Sequence, residues 1–332
     1  MNAAVRPARA LEHHLAPLAP FMDDESLTEV VINRPNEVWT EGPRGWERHQ
    51  VHMPLSHCQS LATLIASFNN DTISDQKPVL SGYLPGKRRV QVVVPGACPE
   101  GTVSITIRKA SAVDFSLQEL DEQGSFSDVE TATPALKPFE QQLLKLREER
   151  RIVEFLELAV KSHRNIVIAG PTGSGKTTLT KSLIRSIDQS ERIITIEDTP
   201  ELFLDEFPNK VHLFYKNIKG SAFTSKDALA SCVRMKPDRI LLAELRGPET
   251  LDYIESLNTG HPGSITSIHA NSAIDVFARL VSLAKKSEEA KTLDPEYIKS
   301  MCLDVVDVVV YYERRKLKEI YYDPERKRAE LR

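Results

Sequence analysis

Several features that would set this chain apart from ordinary globular proteins are missing. No uninterrupted apolar run reaches the roughly 18 residues that a membrane-spanning helix needs. The first 20 residues contain no apolar signal-peptide core, because proline, arginine and histidine interrupt the apolar residues. We therefore expect the protein to be cytoplasmic, or at most to lie peripherally on a membrane surface.

Cysteine and net charge are also scarce. The cysteines are widely spaced and form no CxxC pair, so neither a zinc site nor a redox motif is indicated, and reduced, partly buried thiols are expected at Cys58, Cys98, Cys232 and Cys302. The formal net charge is −4 over 332 residues. Because no global basic field is present, no specific nucleic-acid binding is expected. The length allows about two domains.

The first part of the chain mixes helix and strand patterns without a βαβ repeat. Helical spacing is found at residues 11–22 and 56–69, and residues 1–10 are expected to form a flexible tail. Strand patterns lie at residues 29–33, 37–40, 46–51, 89–94 and 102–108. We therefore predict a smaller α+β N-terminal domain over residues 1–125.

The second part begins after a linker, which we place at residues 126–148, and a charged helix is predicted at residues 139–160. Strands and helices then alternate, which predicts a mostly parallel sheet covered by helices in a domain over residues 149–332. The predicted strands are residues 165–169, 192–197, 211–214, 239–244 and 264–268, followed by an edge hairpin at 306–312 and 317–322. The predicted fold class is therefore α/β.

Residues 170–177, GPTGSGKT, match the P-loop pattern GxxxxGK[ST] at every fixed position. A buried strand pattern enters the loop and a helical pattern leaves it. Gly170, Gly173 and Gly175 let backbone N–H groups curl around phosphate oxygens, and the helix N-terminus adds partial positive charge. A chance glycine-rich turn is the alternative, and the agreement of strand, loop and helix argues against it.

The side chains of this loop predict how ATP and Mg²⁺ bind. Lys176 is expected to bridge the β- and γ-phosphates, and the Thr177 hydroxyl to ligate Mg²⁺. The other predicted nucleotide contacts are Gly170, Pro171, Thr172, Gly173, Ser174, Gly175, Thr178 and, from a later strand, Arg246. Guanine specificity normally shows an Asn-Lys-x-Asp loop. The nearest segment, residues 209–212, ends in His212, so a GTPase is not expected.

A second strand pattern, residues 192–197, ends in acids. Because the carboxyl ends of strands line the ligand crevice of a parallel sheet, Glu197, Asp198 and Glu201 are expected to face the phosphates and Mg²⁺. A carboxylate there can orient or deprotonate the attacking water. Acidic capping of the following turn is the alternative.

Two further strand patterns end in polar groups. Glu244 stands where a Walker B strand usually has Asp, and it can hold Mg²⁺ through water or position the nucleophile. Arg246 either pairs with that acid or reaches a phosphate, and a surface salt bridge is the alternative. His269 is expected to contact the γ-phosphate, although a lone histidine is usually structural. His261, in a Gly/Pro-rich turn, is a weaker candidate.

Taken together, these segments resemble a known superfamily, the secretion traffic ATPases of type II secretion, type IV pili and type IV secretion. The segments that are similar to its Walker A motif, Asp box, atypical Walker B motif and His box are residues 170–177, 195–201, 234–250 and 266–272. The N-terminal segments 27–48, 81–95 and 104–109 are similar to the type IV secretion branch. The type II branch usually carries a tetracysteine metal module, which this sequence lacks.

The resemblance implies more than the spacing shows. The family forms hexameric rings of N-terminal and RecA-like C-terminal domains, with ATP between them. Arg89 and Arg108 match N-terminal arginines that touch its phosphates, with Arg88 as an adjacent alternative. Glu201 is the expected general base, and Glu244 the expected partner for Mg²⁺ and water. Whether the long linker lets a C-terminal domain join a neighbouring subunit's N-terminal domain stays open.

The resemblance thus implies a hexameric cytoplasmic ATPase that powers type IV secretion, conjugative transfer and pilus biogenesis, with other secretion components at the inner membrane as partners. A type IV pilus assembly or retraction ATPase is the nearest alternative, and the segment NRPNEVW at residues 33–39 argues against it. A DNA-translocating motor would need a basic pore or an aromatic stacking face, and neither pattern is found. The full set of acids disfavours a scaffold without turnover.

Overall fold

The computed structural model describes residues 5–109, 115–130, 133–216, 221 and 223–329. The N-terminal half is an antiparallel sheet in the order β3-β2-β1-β6-β5-β4, built from β1 (Glu29–Arg34), β2 (Glu37–Gly42), β3 (Gly45–Gln50), β4 (Val79–Leu84), β5 (Arg88–Val93) and β6 (Ser104–Arg108). Its helices are α1 (Val5–Leu15), α2 (Ala19–Asp23) and α3 (Leu55–Phe68), with a 3₁₀ turn at Ala16–Leu18. The predicted α+β character is confirmed. The expected tail is helical from Val5, and residues 1–4 lie outside the described residues.

One face of this sheet packs on the helices. Alternate strand residues such as Val30 and Ile107 are fully buried with Leu61 and Ile65 of α3, as the period of two requires. The sequence did not predict β4. Its central Gly82 leaves room for the Asn69 side chain, whose oxygen would lie 2.6 Å from a Cβ at Gly82. A glycine at such a close approach weakens the strand pattern.

The segment between the halves contains α4 (Leu117–Glu122), α5 (Pro138–Glu148) and α6 (Ile152–Lys161). The single helix predicted at residues 139–160 is wrong, because α5 ends in a Schellman motif. Arg150 has a φ of +57°, and the N–H groups of Arg150 and Arg151 donate to the carbonyls of Arg147 and Leu146. Since α5 packs Leu146 into the C-terminal core, we propose that the linker ends before α5.

The C-terminal half alternates strands and helices. Its strands are β7 (Ile166–Ala169), β8 (Ile193–Glu197), β9 (Lys210–Phe214), β10 (Arg239–Leu242), β11 (Ile265–Ile268), β12 (Val308–Glu313) and β13 (Lys316–Tyr322). Its helices are α7 (Lys176–Ile184), α8 (Ser225–Cys232), α9 (Glu249–Leu257), α10 (Asp275–Ala284), α11 (Pro295–Val305) and α12 (Pro324–Ala329), with a 3₁₀ turn at Glu289–Thr292.

The C-terminal strands confirm the predicted mostly parallel sheet. They form two parallel groups, β10-β8-β9 and β11-β7-β12, and β13 adds an antiparallel edge next to β12. The groups meet where Leu245 bridges Ile268 and the Ser264 hydroxyl donates to the Ile240 carbonyl over 2.6 Å. Residues of β7 and β10 are buried throughout. Because the paired strands are parallel, their carboxyl ends lie at one edge of the sheet.

A buried polar cluster joins the two halves. Arg192, 0% exposed, donates from one terminal nitrogen to Asn33 Oδ1 of β1 over 2.8 Å and to Asn209 Oδ1 over 2.6 Å. Trp46 of β3 donates to Asp238 Oδ2 over 3.2 Å. Because Asn33 and Trp46 find these buried partners in the other half, the cluster fixes the orientation of the halves within one chain.

Two simpler expectations also concern the whole chain. Cys58, Cys98, Cys232 and Cys302 are free and buried, and burial raises the pKa of Cys58 and Cys98 to about 11. Among the described residues, no helix combines the length and the apolar character that crossing a membrane requires.

Candidate active site

The P-loop connects β7 to α7 through a backbone that only glycine adopts readily. Gly170, Gly173 and Gly175 have φ values of +155°, +71° and +98°. A Cβ at Gly170 would lie 2.1 Å from the carbonyl oxygen of Tyr312 in β12. The loop is therefore shaped both by its own glycines and by the neighbouring strand.

The Lys176 side chain folds back over the P-loop. Its ammonium donates to the carbonyls of Gly170 and Pro171 over 2.9 and 3.0 Å and lies 3.3 Å from His269 Nδ1. Burial lowers its pKa, and the charge of Glu244 opposes that effect. A buried cation held mostly by carbonyls can exchange these partners for phosphate oxygens.

Glu244, Arg246 and His269 meet at the carboxyl ends of β10 and β11. Glu244 Oε2 accepts from Arg246 Nε over 2.7 Å, and Glu244 Oε1 lies 2.8 Å from His269 Nε2. A neutral His269 protonated on Nε2 can donate to Glu244 while Nδ1 accepts from Lys176. Arg246 also pairs with Asp198, so these four predicted side chains and Lys176 lie together.

Glu201 faces the start of α7. Its Oε2 accepts a hydrogen bond from the Thr177 hydroxyl over 3.4 Å. Thr177 and Thr178 are exposed in the first turn of the helix, where unpaired backbone N–H groups attract anions. The arrangement places a carboxylate beside the hydroxyl that was predicted to ligate the metal.

Glu197 lies differently from the other acids. It is 1% exposed. One oxygen accepts from the N–H groups of Glu201 and Leu202 over 2.7 and 2.8 Å, and the other from Thr195 over 2.6 Å and His212 over 3.2 Å. Burial alone would raise its pKa, but the bonds from His212, Thr195 and the two N–H groups together lower it. Both oxygens are thus occupied by protein donors.

The structure does not bring Arg89 and Arg108 to the P-loop of the same chain. They line a cavity of about 330 Å³ with residues that precede β10 and β11, among them Arg234, Lys236 and His261. The amino ends of parallel strands lie at the sheet edge opposite the carboxyl ends. Arg88 points elsewhere and donates to Met22 and Pro85 carbonyls within its own half.

The oxygen atoms at the P-loop edge suit a hard cation. Thr177, Asp198, Glu201 and Glu244 offer hydroxyl and carboxylate oxygens, which Mg²⁺ prefers while it keeps water and phosphate ligands. Within the described part of the chain, no group of three or more His, Cys, Asp or Glu is arranged to hold a metal ion.

Sequence reasoning missed two contributors to this site. Tyr312 closes over the P-loop, and its only sequence signal was a place in the last apolar strand. His212 supports Glu197; the sequence showed it only as a departure from a guanine-binding pattern.

Known proteins resemble this chain over nearly its whole length. Residues 12–307 match the family described as "Type II/IV secretion system protein". The chain is 46% identical to the type IV secretion system protein VirB11 of Brucella abortus, covering 99% of this chain and 94% of the relative. It is 38% identical to PtlH of Bordetella pertussis, covering 95% and 94%.

A solved structure agrees with these sequence relatives. The VirB11 ATPase of the Brucella suis type IV secretion system, crystallised in complex with sulphate, superposes with a TM-score of 0.94 at 45% identity, covering 99% of both chains. The fold, the P-loop and the near-complete coverage agree, and the chain belongs to the type II/IV secretion system protein family.

Proposed function

We propose that this protein is a cytoplasmic ATPase, assembled as a ring of six identical chains, that hydrolyses Mg²⁺-bound ATP to power type IV secretion or conjugative transfer with its pilus biogenesis. The observation that carries the proposal is the convergence of Lys176, Glu244 and His269 at the end of the P-loop strand. Relatives that are type IV secretion proteins over nearly the whole chain support the same conclusion.

Each side chain has a role that its position supports. Lys176 leaves the Gly170 and Pro171 carbonyls for the β- and γ-phosphates. Glu201, beside Thr177, orients or deprotonates the attacking water. His269, between Lys176 and Glu244, responds to the γ-phosphate and would couple hydrolysis to domain movement.

Mg²⁺ would be held by Thr177 directly and by Glu244 and Asp198 directly or through water, and it would neutralise charge on the phosphates. Glu197 is better suited to fixing the loop than to holding the metal, because protein donors occupy both oxygens. Arg246 pairs with Glu244 and Asp198, and we propose that it reaches the phosphates when they displace these carboxylates.

Arg89 and Arg108 are proposed to act on the nucleotide of a neighbouring chain. Both side chains are exposed, and within one chain they lie at the edge of the sheet opposite the P-loop. Only another subunit can therefore present a P-loop to them. An arginine in that position stabilises charge on the transferring phosphoryl group. Partners at the cytoplasmic side of the inner membrane would complete the machine.

Mixing two inactive variants tests the ring and the arginine together. Lys176→Ala and Arg108→Ala are each expected to lose ATP turnover. In rings mixed from equal amounts of the two variants, about a quarter of the sites combine an intact P-loop with an intact arginine from the neighbouring chain. Part of the ATP turnover should therefore return. Sedimentation with an ATP analogue and Mg²⁺ should give six subunits. Wild-type turnover by Lys176→Ala would refute the P-loop assignment, and no recovery on mixing would refute action between chains.

A further inference from the structure

The turn between β12 and β13 has an unusual composition for its backbone. Glu313 pairs with Lys316, which leaves a two-residue turn made of Arg314 and Arg315. Their φ values are +50° and +59°. Two positive φ values define a type I′ hairpin turn, where Asn-Gly is strongly preferred because a Cβ is unfavourable in this conformation. Two arginines therefore occupy turn positions whose backbone conformation favours other residues.

This turn is fastened to the P-loop. The Arg315 N–H donates to the Ser174 carbonyl over 3.0 Å. The Tyr312 carbonyl fills the space beside Gly170, and a Cβ at Gly175 would lie 3.1 Å from the Tyr312 ring and 3.5 Å from Arg315 Cγ. The aliphatic stem of Arg315 thus runs along the loop that cradles phosphate.

The two guanidinium groups differ in position but share one property. Both side chains are exposed, and neither makes an ion pair or hydrogen bond with another residue that the structure describes. Of the two arginines, only Arg315 is among the three nearest neighbours of a Cβ placed at Gly175. Strained conformations persist at functional sites where the surrounding structure holds them in place, and the anion that approaches this loop is the nucleotide.

We infer that Arg315 contacts the α- and β-phosphates of the nucleotide bound at the P-loop, and that this contact holds ADP and ATP equally. The inference rests on the proposed nucleotide site. P-loop backbone N–H groups hold the α- and β-phosphates, and Ser174 and Gly175, against which Arg315 lies, belong to that part of the loop. The γ-phosphate is left to Lys176 and His269.

The test compares Arg315→Gln with Arg314→Gln, its matched control in the same turn. ADP binding with Mg²⁺ is measured by titration calorimetry, and ATP turnover by steady-state kinetics. Arg315→Gln should weaken ADP binding about tenfold and raise KM similarly with kcat unchanged, as loss of uniform binding requires. Arg314→Gln should stay within about twofold of wild type. Equal effects of the two variants, or none, would overturn the inference.

A second variant separates binding from folding. Arg315→Gly suits the positive φ, so its unfolding midpoint should rise while its ADP affinity falls. Unchanged ADP affinity in Arg315→Gly would also overturn the inference. Lys176→Ala is measured alongside. If wild type binds ADP and Lys176→Ala binds it more weakly, the nucleotide site stands whatever Arg315 does, so failure of the inference and failure of the proposed function are distinguished.

Discussion

Replacing Glu197 with glutamine tests whether this acid holds the metal, as the sequence predicted, or holds the loop that carries Glu201. The carboxylate is buried and accepts four hydrogen bonds, two of them from the N–H groups of Glu201 and Leu202. A glutamine keeps the shape, and its one oxygen can still accept from the two N–H groups without the full negative charge. Its NH₂ group cannot accept from Thr195 or His212. Each such change costs about 1 kcal/mol, and the weaker His212 contact adds to it. We expect the free energy of unfolding to fall by roughly 2–3 kcal/mol.

The same substitution should lower kcat without changing the demand for Mg²⁺. Because the Glu201 N–H is anchored by Glu197, loosening it displaces Glu201 from Thr177, and kcat should fall by on the order of tenfold or more. Turnover is measured against Mg²⁺ concentration, and unfolding by denaturant titration. Asp198→Asn is the control for stability alone, since its partly exposed pair with Arg246 should contribute less than about 1 kcal/mol to the free energy of unfolding.

The pH dependence supplies a third readout. The pKa of Glu197 lies below its ordinary value of 4.5, so its contribution to stability is complete above that value and is lost as pH falls through the lower folded pKa. The stability difference between wild type and Glu197→Gln should therefore shrink on acidification. Normal stability combined with a raised Mg²⁺ requirement would refute the anchoring role and restore the metal role.

Two further predictions concern buried contacts. Arg192→Met should destabilise the protein by roughly 3–5 kcal/mol in denaturant titration, because it removes the donor to Asn33 Oδ1 across the interface and the donor to the Met235 carbonyl. An effect no larger than that of the exposed Arg185→Met would contradict this. Gly170→Ala should weaken nucleotide binding and lower the free energy of unfolding by more than the about 1–2 kcal/mol expected from positive φ alone. The reason is that its Cβ would lie 2.1 Å from the Tyr312 carbonyl oxygen. Equal losses of stability in Gly170→Ala and Gly173→Ala would refute the clash.

The fold was predictable where local pattern and burial agree. Apolar runs such as β7 and β10, buried on both faces, read correctly as a parallel sheet. The errors arose where a single backbone conformation or a long-range contact decided the structure. The left-handed Arg150 divides one apolar stripe into two helices. Gly82 lies in a strand through its pairing with β5, and the Asn69 side chain leaves no room there for a Cβ.

The candidate site was likewise predictable from local patterns but not from long-range contacts. Lys176, Glu244 and His269 were expected to lie together because the carboxyl ends of parallel strands share one edge. The sequence could not show which of Glu197 and Asp198 faces the nucleotide. Neighbouring residues at a strand end point to opposite sides, and the pattern does not indicate which side is the site. One is buried under four donors and the other pairs with Arg246. The partners that decide this, Thr195 and His212, lie on β8 and β9.

The N-terminal sheet links domain orientation to the proposed action between chains. Glu41, Glu29, Arg108 and Arg89 are directly opposite one another on β2, β1, β6 and β5, so they form one row on the face away from α3. Glu41 pairs with Lys236 of the same chain. Burial raises the pKa of Glu29 to about 7, and the positive charge of Arg108 opposes that shift. Glu29 therefore neutralises the charge of Arg108 only partly.

The acidic end of this row is paired with Lys236 of the chain's own C-terminal half. The exposed Arg89 and Arg108 at the other end line a cavity beside that half. Arg192 and Lys236 set the orientation of the sheet, and that orientation determines where Arg89 and Arg108 are presented. A ring in which these arginines complete a neighbour's nucleotide site would need each chain to hold its own halves rigidly. In the proposed ring, the buried cluster around Arg192 would therefore support function as well as stability, although it lies away from the P-loop.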